Sequence, residues 1–452
     1  MTAALTIAKN TFIESLRQPI IFVVVLICGL LQYLTTASTG YSMGYRIYAD
    51  GEVTGDDKML LDVGMATVFI GGIVLAAFIA TAALSREIEN KTVLTVVSKP
   101  IGRPAVVIGK FLGVTGAMAI AATILITQLL FALRHGVMTT ASDHIDWPVI
   151  VFGVGTFGLA ASIAAFLNFM YNWSFNQAFT LLVLPLQIVG YAFTLGFDLA
   201  WPLPPPPTPH PPLFLLAGAA VGGALLVITG VAVAASTRVG QVMTIVICAG
   251  VFVTGLLSNH LIGARAFKND AFGIIDTITY ERDADRDLLH PGDEGTFRTE
   301  APPEIKLEPG TPIFFGPAPN GLGMSTPRFA APDPSLDLSN DLYPEDVPPA
   351  LVIMEVSGQD IRVKHIGGRP LDMRRPPEQG DYLFITPTTL NPVYATVWAV
   401  VPNMHAFWLV DAVTQAASIP LHHLGLIVLY AAAQVGATLA LAVILFEGRD
   451  VG

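Results

Sequence analysis

Charge and cysteine are what this chain has least of. Only 13% of its 452 residues are Asp, Glu, Lys or Arg, about half the ~25% typical of soluble domains, which excludes an ordinary water-solvated globule. Its two cysteines, Cys28 and Cys248, both lie inside apolar runs and exclude a disulfide framework. No G-x-x-x-x-G-K-[ST] loop is present. The nearest string, VVIGKFLG, places Phe111 after Lys110 and lacks the earlier glycine, so the chain has no phosphate cradle of that kind. The middles of the apolar runs hold no Asp, Glu, Lys or Arg, the groups an ion-coupled pump uses as relays. The net charge of −11 is a sum over unlike regions and points to no nucleic-acid partner.

What is abundant is apolar length. Hydrophobic residues make up 53% of the chain, and mean hydropathy is +0.60. They fall in blocks near the ~20 residues that span a bilayer core. Eight spans are expected, at 20–37, 63–84, 111–133, 149–170, 178–197, 213–235, 242–257 and 424–446. The first apolar block has no small-x-small cleavage site behind it and reads as a retained span rather than a signal peptide.

Lys and Arg in the short loops set the orientation. With the N-terminus inside, the cytoplasmic segments carry Lys9, Arg17, Arg86, Lys91, Lys99, Arg103, Lys110, Arg238 and Arg449, against Arg46, Lys58 and Arg134 outside. Eight crossings then leave both termini cytoplasmic. Residues 258–400 break the apolar pattern, hold most of the acidic residues and lie outside by parity. Alternation of apolar and polar residues predicts strands around Ile305 and Leu307, around Ile361 and Val363, and over 351–356 and 382–385. Residues 316–341 read as loop. The expected fold is an all-α membrane bundle with an inserted extracytoplasmic, β-rich domain.

Several patterns invite sharper readings that the residues do not sustain. WPLPPPPTPHPP, residues 201–212, cannot continue a helix and reads as a stiff connector between the fifth and sixth spans. Asp283, Asp285, Asp287 and Glu294 match EF-hand positions 1, 3, 5 and 12, but Leu288 stands where the turn demands glycine. All nine histidines fall outside the cytoplasm in this topology, without H-x-x-x-H or Cys/His spacing. No metal site and no cofactor are expected. The sequons at Asn90 and Asn172 lie on the inner face. Within the spans, Gly71–Gly72 and the Gly218/Gly222 pair are expected helix-packing sites, because small residues let helices approach closely.

The most informative segment is cytoplasmic, SREIENKTVLTVVSKPIGRPAVVIGKFLG, residues 85–113. Mixed charges are followed by the apolar, β-branched run 92–97, and Pro100, Gly102 and Pro104 force a turn before Lys110–Phe111. This order resembles the region between the second and third spans of ABC-2 type permeases. The opening IAKNTFIESLRQP is similar to that family's amphipathic elbow helix, with Leu5, Ala8, Phe12 and Leu16 at helical spacing. The ending VPNMHAFWLVDAV…LFEGRDVG resembles the last outer helix, final span and charged tail of the permease class described for multi-copper enzyme maturation. The resemblance covers residues 1–258 and 396–452 and departs from the usual six spans by an extra pair.

The resemblance implies an ATPase-coupling role for Arg86, Glu87, Glu89, Thr92, Leu94, Lys99, Pro100 and Arg103, within a coupling segment at 85–110. It implies a permease subunit of an ATP-driven transporter in the cytoplasmic membrane. The chain itself would be no enzyme, and ATP would be hydrolysed by a separate cytoplasmic ABC ATPase. A second permease copy or a paralogue would complete a dimer within the lipid bilayer. The expected divisions are an elbow helix at 1–19, seven spans over 20–257, the outer domain at 258–400, and an outer interfacial helix with the last span at 401–452. A rival reading makes the chain a non-transporting anchor or assembly factor whose outer domain is the working part.

Overall fold

The computed structural model describes residues 2–39, 55–84, 102–138, 145–197, 201, 213–280, 288–329, 332, 336–340, 343–373, 375–414, 419 and 421–447. The chain divides into two compact units, Met1–Leu256 with Pro402–Gly452, and Leu257–Val401.

The first unit is helical. It comprises α1 (Thr2–Leu16), α2 (Pro19–Ser38), α3 (Gly55–Ala83), α4 (Arg103–His135), α5 (Trp147–Tyr171), α6 (Phe175–Thr194), α7 (Leu213–Ser236), α8 (Gln241–Leu256) and α9 (Leu421–Glu447). In hydrocarbon every main-chain N–H and C=O needs an internal partner, so apolar runs of this length become helices. Hydroxyls inside the runs are satisfied the same way: those of Thr81, Thr127 and Thr229 donate to carbonyls one turn back.

Local chemistry sets the helix ends. Gln18 and Gly102 are extended N-caps followed by proline in the first helical turn of α2 and α4. The Asp146 carboxylate caps α5 by accepting from the Val149 N–H. Asn172, with φ +55°, closes α5 in the left-handed conformation, and its N–H donates back to Asn168. That turn joins α5 to α6 through residues 172–174 alone.

Among the described residues, seven helices, α2–α7 and α9, are long and apolar enough to cross a membrane. The count reaches nine only if two broken pairs, Gln241–Leu256 with Asn259–Ala266 and Pro392–Val400 with Met404–Thr414, each make a span. The expected seventh span, 242–257, coincides with α8. α8 has 16 residues, about 24 Å of helix, short of the ~30 Å hydrocarbon core. The third span begins earlier than expected, at Arg103 instead of Phe111, because Pro104 is pre-shaped for a first helical turn. The outer interfacial helix expected after residue 401 is two short pieces, Met404–Phe407 and Val410–Thr414.

Contacts give the helix directions. Gly29 of α2 meets Gln128 of α4, and the Met138 N–H donates to the Thr36 carbonyl, so α2 and α4 are parallel. Gly64 and Gly71 of α3 meet Leu129 and Leu125, which makes α3 antiparallel to α4. α7 runs with α3, Gly218 against Ile126 and Gly230 near Phe111. α9 follows α7, with Thr438 against Gly230.

The second unit is β-rich. Its main sheet has six antiparallel strands in the order β5 (Phe314–Gly316), β9 (Tyr382–Phe384), β2 (Gly273–Tyr280), β4 (Glu294–Thr299), β7 (Asp360–Ile366) and β6 (Ala350–Ser357). Two short ribbons accompany it, β1 (Phe267–Lys268) with β10 (Thr389–Leu390) and β3 (Leu288–Leu289) with β8 (Leu371–Asp372). The stretch ahead of β5 pairs with β6 through Gly310, Thr311 and Ile313, whereas β5 itself pairs with β9. One strand thus touches both edges of the sheet and curls it into a half-barrel, which shields edges that would otherwise pair with other chains. Ile275, Phe297, Phe315, Ile353, Ile361 and Val363 pack its core.

Strands form over the expected 361–363, 351–356 and 382–384 regions. Ile305 and Leu307 are not in a strand; Ile305 is exposed, and Pro302, Pro303 and Pro309 interrupt donors on either side. Glu294 lies in β4 and pairs with Arg362 at 2.7 Å and Lys364 at 3.5 Å. Asp283, Asp285 and Asp287 lie outside the described residues, as do residues 202–212 of the proline run.

Candidate functional site

One end of the helical unit gathers the features of interest. Leu84 closes α3 there, buried to 1% exposure, and the chain re-enters at Gly102, where α4 starts. Arg103, first residue of α4, donates from its guanidinium to the main-chain oxygen of Glu447 at the end of α9. The start of the third span and the end of the last are therefore tied together. Arg86, Glu87, Glu89, Thr92, Leu94, Lys99 and Pro100 lie outside the described residues. Of the expected coupling set, Arg103 alone has a described position.

α1 packs along the first half of α4 on a glycine seam. A Cβ on Gly109 would stand 2.8 Å from the Ala4 carbonyl and 2.9 Å from Ile7, and one on Gly113 would stand 2.6 Å from the Ala8 carbonyl and from Thr11. Gly116 faces the Phe12 ring. The face of α1 on α4 is thus Ala4, Ile7, Ala8, Thr11 and Phe12. Leu5, expected on the apolar stripe, is 61% exposed and points away. α4 has 33 residues, about 50 Å of helix, longer than a ~30 Å hydrocarbon core. Lys110, on the same helix, is buried at 6% exposure. The seam is legible in the sequence as G-x-x-x-G at Gly109 and Gly113, a pattern not among the expected packing sites.

A Cβ on Gly71 would meet Cys28, and one on Gly72 would meet Leu225, bringing α2, α3 and α7 close. Gly218 lies against Ile126, whereas nothing stands within 4 Å of a Cβ at Gly222. Gly222 instead opens on a groove of about 670 Å³ between α4, α7 and α9. Thr115, Thr123, Gly223 and Ala431 also line it, and no charged side chain does. Such a lining admits apolar surface and gives a charged group no partner.

The opposite end is held by a buried ion pair. Arg134, in the last turn of α4, meets Asp146 at 3.1 Å, with side-chain exposures of 4% and 0%. Arg134 also donates to the Phe197 carbonyl beyond α6 at 2.7 Å. One guanidinium therefore ties the ends of α4 and α6 to the start of α5. In the sequence reading Arg134 was a topology residue only; no pattern linked it to Asp146. Gly255 and Pro402, flanking the inserted β unit, meet at this same end.

The β unit has a cleft of its own, about 970 Å³, with Phe272, Ile274 and Tyr382 among its apolar walls. Asp270, Glu300, Glu304 and Lys268 contribute its charges.

The stretch from α1 through α6 is similar to a known family. Residues 5–196 match the model of the ABC-2 family transporter proteins. This segment is an ABC-2 family transporter region. No curated protein and no solved structure matches the chain. The match takes in α1, residues 85–110 and α2–α6; α7–α9 and the β unit lie beyond it. With its apolar helices, the ABC-2 region makes the chain a multi-pass membrane protein.

Proposed function

We propose that this chain is the membrane permease subunit of an ATP-driven ABC transporter of the cytoplasmic membrane. ATP is hydrolysed by a separate ABC ATPase that docks at the Arg103 end, and a second permease copy or paralogue completes the pore. The observation that carries the reading is the ABC-2 match over 5–196. The common end of α1, α4 and α9 supports it, because a push on residues 85–103 would reach three helices at once. In this reading both termini and the Arg103 end are cytoplasmic, and residues 257–401 are outside, where they receive or gate the cargo.

Glu87 and Glu89 are then the charges that steer the ATPase. Reversing both to lysine adds positive charge beside Arg86 and Lys91, and mismatched charge at an interface costs several kcal/mol. E87K/E89K is expected to lose most of the co-purifying ATPase at unchanged membrane yield. Equal recovery with undiminished ATPase activity would remove the segment from the coupling role.

The orientation has its own check. Single cysteines at Thr208 and Pro334 should react with an impermeant thiol reagent in intact cells. Those at Ser98 and Gly448 should react only after permeabilisation. Labelling of Ser98 from outside would reverse the orientation and place the coupling segment away from any cytoplasmic ATPase.

A further inference from the structure

His365 is the third inward-facing residue of β7, after Ile361 and Val363, since alternate residues of a strand share a face. It is completely buried, and neither ring nitrogen makes a hydrogen bond of good geometry, although the His290 main chain reaches toward the ring. Its main chain holds the turn between β3 and β4: the His365 N–H donates to the Asp293 carbonyl, and the Gly292 N–H donates to the His365 carbonyl. The Asp293 carboxylate is engaged by the His290 N–H at 2.7 Å. β3, which enters this turn, is secured by two residue pairs to β8, Leu288 with Asp372 and Leu289 with Leu371. We infer that His365 makes the 290–293 turn and the β3–β8 ribbon an acid-sensitive latch, closed over a neutral imidazole and opened when the ring takes a proton.

The physical reason is the donor count. A neutral ring has one N–H to satisfy, an imidazolium has two and a charge as well. Burial disfavours the charged form and pushes the His365 pKa below its ordinary 6.5, with the His290 ring adding to the effect. The His290 backbone and the Asp293 carboxylate pull the other way without overcoming burial. The neighbouring charges do not help: Arg362 and Lys364 both pair with Glu294, and they alternate with the inward-facing residues of β7. Asp372 of β8 is exposed.

An open turn lets the ring titrate near 6.5, so the open form binds more protons than the closed form below that pH. The latch is stable above 6.5 and loses stability as pH falls from there through the depressed pKa, by up to about tenfold in the opening constant per pH unit. The inference is independent of transport.

The test is hydrogen exchange of the full-length chain in lipid nanodiscs, with β2 peptides correcting for the intrinsic pH dependence. Between pH 6.5 and 5.5, peptides covering 286–294 and 369–373 of the wild type should open up to about fivefold more. In His365→Leu the acid-induced opening should vanish, and H365Q, which keeps a polar group but cannot charge, should lose it too. Absence of extra opening in the wild type overturns the latch. So does equal opening in either variant that folds.

Discussion

Replacing Asp146 with alanine is expected to destabilise the helical unit by about 3–5 kcal/mol, the cost of stranding one member of a buried ion pair. Arg134 would keep its charge at 4% side-chain exposure, with only the Phe197 carbonyl to accept from it. The Val149 N–H would lose its cap as well. In a thermal denaturation of detergent-purified protein the midpoint should fall on the order of 10 °C. D146N, which can still cap α5 but leaves Arg134 uncompensated, should lie between wild type and alanine. Removing both partners with Arg134→Met and Asp146→Leu should cost less than the two single changes together, because no charge is left stranded. Additive losses would mean that the pair does not couple the ends of α4, α5 and α6.

The second large effect is expected at the elbow. Gly113→Leu would place a branched side chain where a Cβ alone meets the Ala8 carbonyl at 2.6 Å and the Phe12 N–H nitrogen at 2.9 Å. Both obstacles are main chain and cannot swing aside, so α1 must move off α4. Overpacking of this kind costs about 1–3 kcal/mol, and more where the neighbour is rigid. Lys9 and Arg17 should become susceptible to trypsin, while α2–α9 remain assembled. If the elbow transmits force from the ATPase, cargo-dependent ATPase activity should fall in step. Gly222→Ala is the contrast, since no atom stands within 4 Å of the added carbon; it should be silent. Tolerance of Gly113→Leu at the level of Gly222→Ala would show that α1 does not depend on the seam.

How much could be read in advance depends on the range of the forces involved. The apolar helices were legible because their cause is local. A run of about 20 apolar residues in hydrocarbon has no way to satisfy its main chain except as a helix, and α2–α7 and α9 overlap the expected spans. Strand alternation at 351–356 and 361–363 was legible for the same reason, being a two-residue period set by the pleat. It misled at 305–307, where the same alternation sits among prolines that cannot donate to a ladder. Residues 85–113 resembled ABC-2 permeases as a pattern, and the family match over 5–196 spans them.

By itself, then, the sequence determined the membrane class, most of the helical runs, the β character of the inserted region and the transporter family of residues 5–196. Tertiary structure alone decided which distant residues meet. Nothing local to Arg134 announces Asp146 and the Phe197 carbonyl as its partners. Nor does Arg103 announce the end of α9, 344 residues away. Nor does His365 reveal in its alternating strand that its ring is buried without a well-formed hydrogen bond. Helix formation answers to the solvent around one segment, whereas ion pairing, glycine seams and buried imidazoles answer to what another segment brings within a few ångströms. That second quantity exists only once the chain has folded.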